Sequence, residues 1–147
     1  METSKCGIFI LELLKQLETV YEYGAEVSLD TADPDAVDCS ELVQYGTGKA
    51  NIKSIGGLPV AMFDGAANQF LAAREIPVAI ARKQIGSLLF RQDRTAYPGK
   101  TLGIGHVGVV IGPEHVLHAS SSKGKVVISR ITDWWNKAAK IGELYGE

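Results

Sequence analysis

Three residues in this sequence are of types that perform nucleophilic and proton-transfer chemistry together: Cys39, His106 and His118. A thiol becomes a strong nucleophile when it ionises, and the first turn of a helix favours the thiolate. Cys39 follows Asp38, a residue type that caps helix N-termini, and it opens a short apolar run over 39–45. Asp38 also works against ionisation, because a nearby carboxylate disfavours a second anion. Taken alone, Cys39 reads as an inert buried thiol. His106 lies in Gly-His-Val-Gly-Val-Val-Ile-Gly. With a strand period of two, Val107, Val109 and Ile111 share one face, and His106, Gly108 and Val110 share the other. The glycines beside His106 leave open space where a thiol or a substrate backbone could approach. A strand His satisfied by a backbone carbonyl is the alternative. His118 follows the turn Gly112-Pro113-Glu114, so a hairpin brings it back beside His106, where it would orient the ring. His115, the rival, lies at the turn and is expected in solvent.

These residues need elements to position them. Residues 4–23 read as an amphipathic helix with Ile8, Leu11, Leu14 and Leu17 on its inner stripe and Glu12, Lys15, Gln16 and Glu18 in solvent. Gly24 is its stop. Residues 30–38 form a polar loop containing Pro34, and 39–45 a short buried helix headed by Asp38. Residues 46–59 read as an irregular, glycine-containing connection. A further helix spans 64–73, with Phe63, Ala67 and Phe70 or Leu71 inward. Four short apolar runs follow, at 87–90, 106–111, 116–119 and 126–131, separated by turn residues, and these read as antiparallel strands. Residues 133–140 suggest a short helix and 141–145 a last strand. Helices first and strands second make one α+β domain over 1–147.

Composition narrows the function classes. With 15 Lys and Arg against 17 Asp and Glu, and no basic run, the chain lacks the clustered cations that phosphate binding needs, so no nucleic acid is expected as partner. No stretch reaches the roughly 18 apolar residues of a membrane span. The apolar start is broken by Glu12 and lacks a basic flank and a cleavage site, so no signal peptide is read. The two cysteines, Cys6 and Cys39, do not make a disulfide framework. Cys39, His106, His115 and His118 are ligand-type side chains without the spacing of a zinc site, so neither a metal nor another cofactor is expected.

Asp38-Cys39-Ser40, then Gly105-His106-Val107-Gly108-Val109, then His118-Ala119-Ser120 resemble the three catalytic blocks of the NlpC/P60 cysteine peptidases. Tyr21-Glu22-Tyr23-Gly24 is similar to the aromatic-glycine block that precedes the nucleophile in that family. Ile85 to Phe90 resembles its first core strand, and Val126 to Ile131 the strand after the third polar residue. The resemblance covers 21–131. It implies a papain-like α+β fold, with N-terminal helices packed on an antiparallel sheet that carries both His residues. It implies a substrate in bacterial peptidoglycan, cut in the stem peptide, often between D-γ-glutamate and a diamino acid. By carry-over, Cys39 is the nucleophile, His106 the base and His118 the orienting residue. Tyr21, Asp38 and Ser40 match substrate-site positions, and Tyr21 is a candidate for polarising the scissile carbonyl beside the Cys39 N–H. A thiolate–imidazolium pair between Cys39 and His106 is the expected reactive form.

The chain departs from the family at Glu41, where a Gly is usual, at Ser87, where an acid is common, and in an extra polar loop over 91–103. That loop reads as a solvated insertion, with a lid or a partner surface as the alternatives. By analogy of architecture, a compact version without signal or binding repeats fits a phage lysin, a peptidase mounted among phage tail proteins, or a small intracellular bacterial hydrolase. It would be made in the cytoplasm and then stay there, enter a virion tail or reach the cell wall. Two competing readings remain: an amidase or acyltransferase on the same scaffold, and a non-catalytic tail component.

Overall fold

A computed structural model of the chain describes residues 4–24, 36–54 and 56–141. The first helix, α1, spans Lys5–Leu14, and the Ser4 hydroxyl caps it by accepting from the Gly7 N–H at 3.0 Å. Its inner face is Phe9 and Leu13, continued beyond the helix by buried Gln16, whereas Leu11, Leu14 and Leu17 are exposed. The expected inner stripe is therefore rotated. Gly46 explains the choice: a Cβ there would lie 2.9 Å from the Phe9 ring and 3.0 Å from Leu13. Both side chains seat on that glycine, each contributing about 2–3 kcal/mol by burial.

The helix also stops earlier than its periodicity predicts. Glu18 takes a positive φ of 73°, its N–H donates to the Val126 carbonyl, and the Val126 N–H donates to the Thr19 carbonyl. Backbone pairing with a sheet edge thus ends the helical stripe, and β1, Val20–Tyr21, follows as a strand. β2 is Ala36–Val37, and the preceding residues 30–35 of the expected polar loop lie outside the described residues. The helix α2 runs Cys39–Lys49, longer than expected: it continues through Gly46, which packs on Phe9 and Leu13, and through Gly48. A 3-10 turn at Val60–Met62 leads to α3, Ala66–Leu71. There Ala67 is buried, Phe70 meets Phe90 edge-on at 5.2 Å and Leu71 is exposed.

The remaining elements are β3 Arg74–Glu75, α4 Val78–Ala81, β4 Leu88–Gln92, a 3-10 turn at Thr101–Gly103, β5 Ile104–Gly112, β6 His115–Ser120, β7 Lys125–Arg130 and β8 Lys137–Lys140. The expected helix over 133–140 is replaced by β8. Ala138 and Ala139 lie on opposite faces of the sheet, both buried, and β8 pairs antiparallel with β4, so tertiary pairing overrides alanine's helix preference. Of the expected strand at 141–145, Ile141 is buried and the rest lies outside the described residues.

The architecture is α+β. The sheet runs β2-β1-β7-β6-β5-β4-β8-β3, parallel between β1 and β2 and antiparallel elsewhere. One face packs on α1, α2 and α3 through Leu42, Val43, Leu88, Phe90, Val107, Val109, Leu117 and Ala119. The other carries a smaller cluster of Ala81, Leu89, Val110, Val116, Ile131, Trp135 and Ala138. The alternation along β5 is as the sequence predicts. Fully buried Ser87 stands at the start of β4, a place where an acid would be costly to desolvate.

Candidate active site

Cys39 is the first residue of α2, and Asp38 is its N-cap. The Asp38 carboxylate accepts three hydrogen bonds from this chain: one oxygen accepts from the Glu41 N–H at 2.8 Å and the Ser40 hydroxyl at 3.2 Å, the other from the Gly24 N–H at 3.1 Å. It therefore ties the segment after β1 to the head of α2. The β1–β2 pairing does the same through the backbone, with Tyr21 in register with Val37. A cavity of about 230 Å³ results, lined by Tyr21, Tyr23, Asp38, Cys39, Ser40 and Lys100 among others. Gln69, which the sequence did not single out, supports the first turn of α2 by donating to the Ser40 carbonyl at 2.9 Å.

The backbone N–H groups of Val107 and Ser40 favour the charged form of the Cys39 sulfur. Burial nevertheless pushes the thiol up to about 11; Asp38 adds to the rise, while the two N–H groups and Lys100 offset part of it. The Tyr21 hydroxyl is pushed up to about 12, first by burial, then by the charges of Cys39 and Asp38. Both groups are neutral at pH 7.

The hairpin of β5 and β6 brings His106 and His118 together, with Nε2 of His106 2.8 Å from Nδ1 of His118. The second nitrogen of His118 lies 3.3 Å from the Ser129 hydroxyl on β7. Trp135 covers both rings, at 5.4 Å from His106 and 5.1 Å from His118 between centroids. Burial drives His106 down to about 3, helped by His118, and His118 down to about 4. Burial thus works against the expected thiolate–imidazolium pair, because desolvation penalises the charged form of both groups. Among the described residues, Nδ1 of His106 has no hydrogen-bond partner, and neither ring is hydrogen-bonded to Cys39. His115 is exposed at the turn, with Nδ1 2.9 Å from the Pro113 carbonyl. Cys6 and Cys39 are both free thiols.

The imidazoles line a second cavity, of about 570 Å³, with Tyr97, Ser120, Ser129, Trp134 and Trp135. The space directly over Gly105 and Gly108, beside His106, is filled by the chain itself. A Cβ on Gly105 would lie 2.3 Å from the Tyr97 ring, and one on Gly108 would lie 2.7 Å from Val116 and 3.0 Å from Trp135. Tyr97 belongs to the 91–103 loop, and its hydroxyl is raised by burial and then by the charge of Cys39. Residues 94–96 and 98–101 of the loop are exposed, as a solvated insertion would be, while Tyr97 and Lys100 also line the two cavities. Among the described residues, no group of three His, Cys, Asp or Glu side chains is placed to hold a metal ion, and no helix is long and apolar enough to cross a membrane. Chemically, the arrangement offers a thiol at a helix head, backbone N–H donors around it, and an imidazole pair that can take up and pass back a proton.

The NlpC/P60 family model matches residues 18–142. Among solved structures, the peptidoglycan hydrolase RipB from Mycobacterium tuberculosis is 26% identical, with a TM-score of 0.70; the match covers 93% of this chain and 64% of that one. The P60 domain of an antigen from M. avium subspecies paratuberculosis is 24% identical, with a TM-score of 0.70 and coverage of 93% and 94%. The NlpC/p60 domain of the peptidoglycan hydrolase SagA is 24% identical, with a TM-score of 0.64 and coverage of 92% and 98%. No curated protein matches the sequence.

Proposed function

The chain belongs to the NlpC/P60 family, and from that premise we propose that it is a cysteine peptidase of peptidoglycan stem peptides, acting on the bond between D-γ-glutamate and a diamino acid. Cys39 is the nucleophile, His106 the base and His118 the residue that orients it. The observation that carries this reading is Cys39 at the head of α2 together with a His106 whose Nε2 is engaged by His118 at 2.8 Å.

The steps follow from these positions. The substrate carbonyl approaches Cys39 from the cavity that Tyr21 and Ser40 line. His106 takes the thiol proton as sulfur attacks, so charge appears only as the new bond forms. The Cys39 N–H and the Tyr21 hydroxyl donate to the developing oxyanion. His106 then returns the proton to the leaving amine, and water hydrolyses the thioester by the reverse use of the same base.

The test is digestion of purified peptidoglycan followed by mass analysis of the released fragments. Fragments ending at the γ-glutamyl residue are expected from the native protein, none from Cys39→Ala, and a full yield from Cys6→Ala. Equal losses from both cysteine substitutions, or fragments cut at the amide that joins sugar to peptide, would overturn the assignment.

A further inference from the structure

Among the described residues that line the Cys39 cavity, Lys100 supplies the one ammonium. The loop that carries it is built to hold its place. Asp93 accepts from the Thr95 and Ala96 N–H groups at 3.0 Å, and its own carbonyl accepts from Tyr97. The Lys100 N–H donates to the Tyr97 carbonyl, and Gly103 donates back to the Lys100 carbonyl. At the tip, Lys100 Nζ donates to the Tyr23 hydroxyl at 2.9 Å and sits 5.0 Å from that ring's centre. Lys100 and Tyr23 thereby clasp the loop to the segment after β1, which flanks the same cavity.

The clasp uses one of three ammonium protons. Among the described residues, Lys100 makes no ion pair. Asp38 acts on the Lys100 ammonium through its charge but makes no ion-pair contact with it, its oxygens accepting from Glu41, Ser40 and Gly24. Asp64, the other carboxylate of the cavity, is exposed and pairs with no cation among the described residues. The Lys100 charge is nonetheless felt at the Cys39 sulfur, where it lowers the cost of ionisation. A held cation with two spare donors, near a nucleophile, is arranged for an anionic group of the molecule attacked. In a peptide that group is a carboxylate.

We propose that Lys100 is a specificity-determining residue, whose ammonium pairs with a free carboxylate on the substrate residue next to the bond that Cys39 attacks. The inference rests on the peptidase reading above. It makes the 91–103 loop the part of the chain that selects among peptides, and it predicts rejection of substrates in which that carboxylate is amidated.

The experiment compares two γ-glutamyl peptides that differ only in a free carboxylate or a carboxamide beside the scissile bond. The native protein should favour the carboxylate peptide by about tenfold in kcat/KM, mostly through KM. Lys100→Met should bring that ratio to about one, Lys100→Arg should keep most of it, and Tyr23→Phe should reduce it by releasing the clasp. The ratio separates recognition from the effect of Lys100 on the thiol, which would lower kcat for both peptides alike. Equal kcat/KM for the two peptides with the native protein, or an unchanged ratio in Lys100→Met, overturns the inference alone. Cleavage of neither peptide overturns the peptidase reading and this inference with it.

Discussion

Nε2 of His106 lies 2.8 Å from Nδ1 of His118, and the other nitrogen of His118 lies 3.3 Å from the Ser129 hydroxyl. Burial keeps both rings neutral, so one proton is shared along the pair in one of two ways. If His106 donates, its Nδ1 is bare and can accept a proton from the Cys39 thiol. If His118 donates, the proton of His106 sits on the nitrogen that must accept one. The role of His118 in the proposed reaction is to be an acceptor, and its far N–H can then donate to Ser129.

His118→Asn retains an acceptor oxygen at this position, whereas His118→Leu removes it. The first should lower kcat/KM by about tenfold and the second by about 100-fold, within the range that general-base catalysis supplies. Steady-state kinetics on a stem-peptide substrate, with near-UV circular dichroism as a control for packing, measures the difference. Equal losses from the two substitutions would show that His118 does not act by accepting.

Gly105 and Tyr97 are predicted to be coupled. A Cβ on Gly105 meets the Tyr97 ring at 2.3 Å, so Gly105→Ala must displace the ring or the strand. The expected cost is about 1–3 kcal/mol of stability. In a Tyr97→Ala background the same substitution should cost under about 0.5 kcal/mol, because the clashing atoms are gone. Urea denaturation of the four proteins of the cycle gives the coupling directly. An unchanged cost in the second background would mean that the backbone of β5, and not Tyr97, resists the new methyl group.

Much of the site was legible in the sequence. Asp38 reads as a helix cap and acts as one, the β5–β6 hairpin brings His118 to His106, and the alternation along β5 is observed. These are local relations, fixed by caps, turns and a period of two. What escaped the sequence depends on contacts distant in the chain. The face of α1 is set by Gly46, some thirty residues or more away, and the end of α1 by backbone pairing with β7. Residues 137–140 become a strand because β4 has an edge to pair. Burial of Cys39, and of His106 beneath Trp135, favours their neutral forms, and a motif carries no information about how deeply it will be buried. The 91–103 segment is largely solvated as read, but its polar composition gave no sign that Tyr97 and Lys100 line the cavities.

Stability should fall in mild acid through the imidazole pair. In the unfolded chain both rings protonate near 6.5, whereas the folded values are about 3 for His106 and about 4 for His118. Between these limits the unfolded state binds more protons, so stability is full above pH 6.5 and declines as pH drops toward the folded values. The decline is about 1.4 kcal/mol per pH unit for each ring, or about 2 kcal/mol per ring at pH 5. Urea midpoints at pH 7 and pH 5 should show a larger drop for the native protein than for the His106→Gln, His118→Gln double variant. Carboxylate contributions are common to both proteins, so the difference isolates the rings. Identical drops would place the acid sensitivity elsewhere.

The same neutral pair sets the pH dependence of catalysis. The productive free enzyme has a protonated Cys39 and an unprotonated His106, and the values of about 11 and about 3 hold it in that form across a wide interval. A thiolate–imidazolium pair would behave differently, with activity falling above about pH 8 as the imidazolium loses its proton. The neutral pair predicts a broad plateau in kcat/KM from about pH 5 to about pH 9, limited on the acid side by protonation of His106 and on the alkaline side by loss of the thiol proton. Both limits belong to the coupled pair and not to either residue alone. Replacing the shield with Trp135→Ala should admit water, raise the His106 value toward 6.5 and move the acid limb upward by one pH unit or more. The measurement is kcat/KM against pH for both proteins, over the range in which each stays folded by circular dichroism. A bell with an alkaline limb near pH 8 in the native protein, or an acid limb that Trp135→Ala leaves in place, would mean that substrate-free Cys39 and His106 are charged after all.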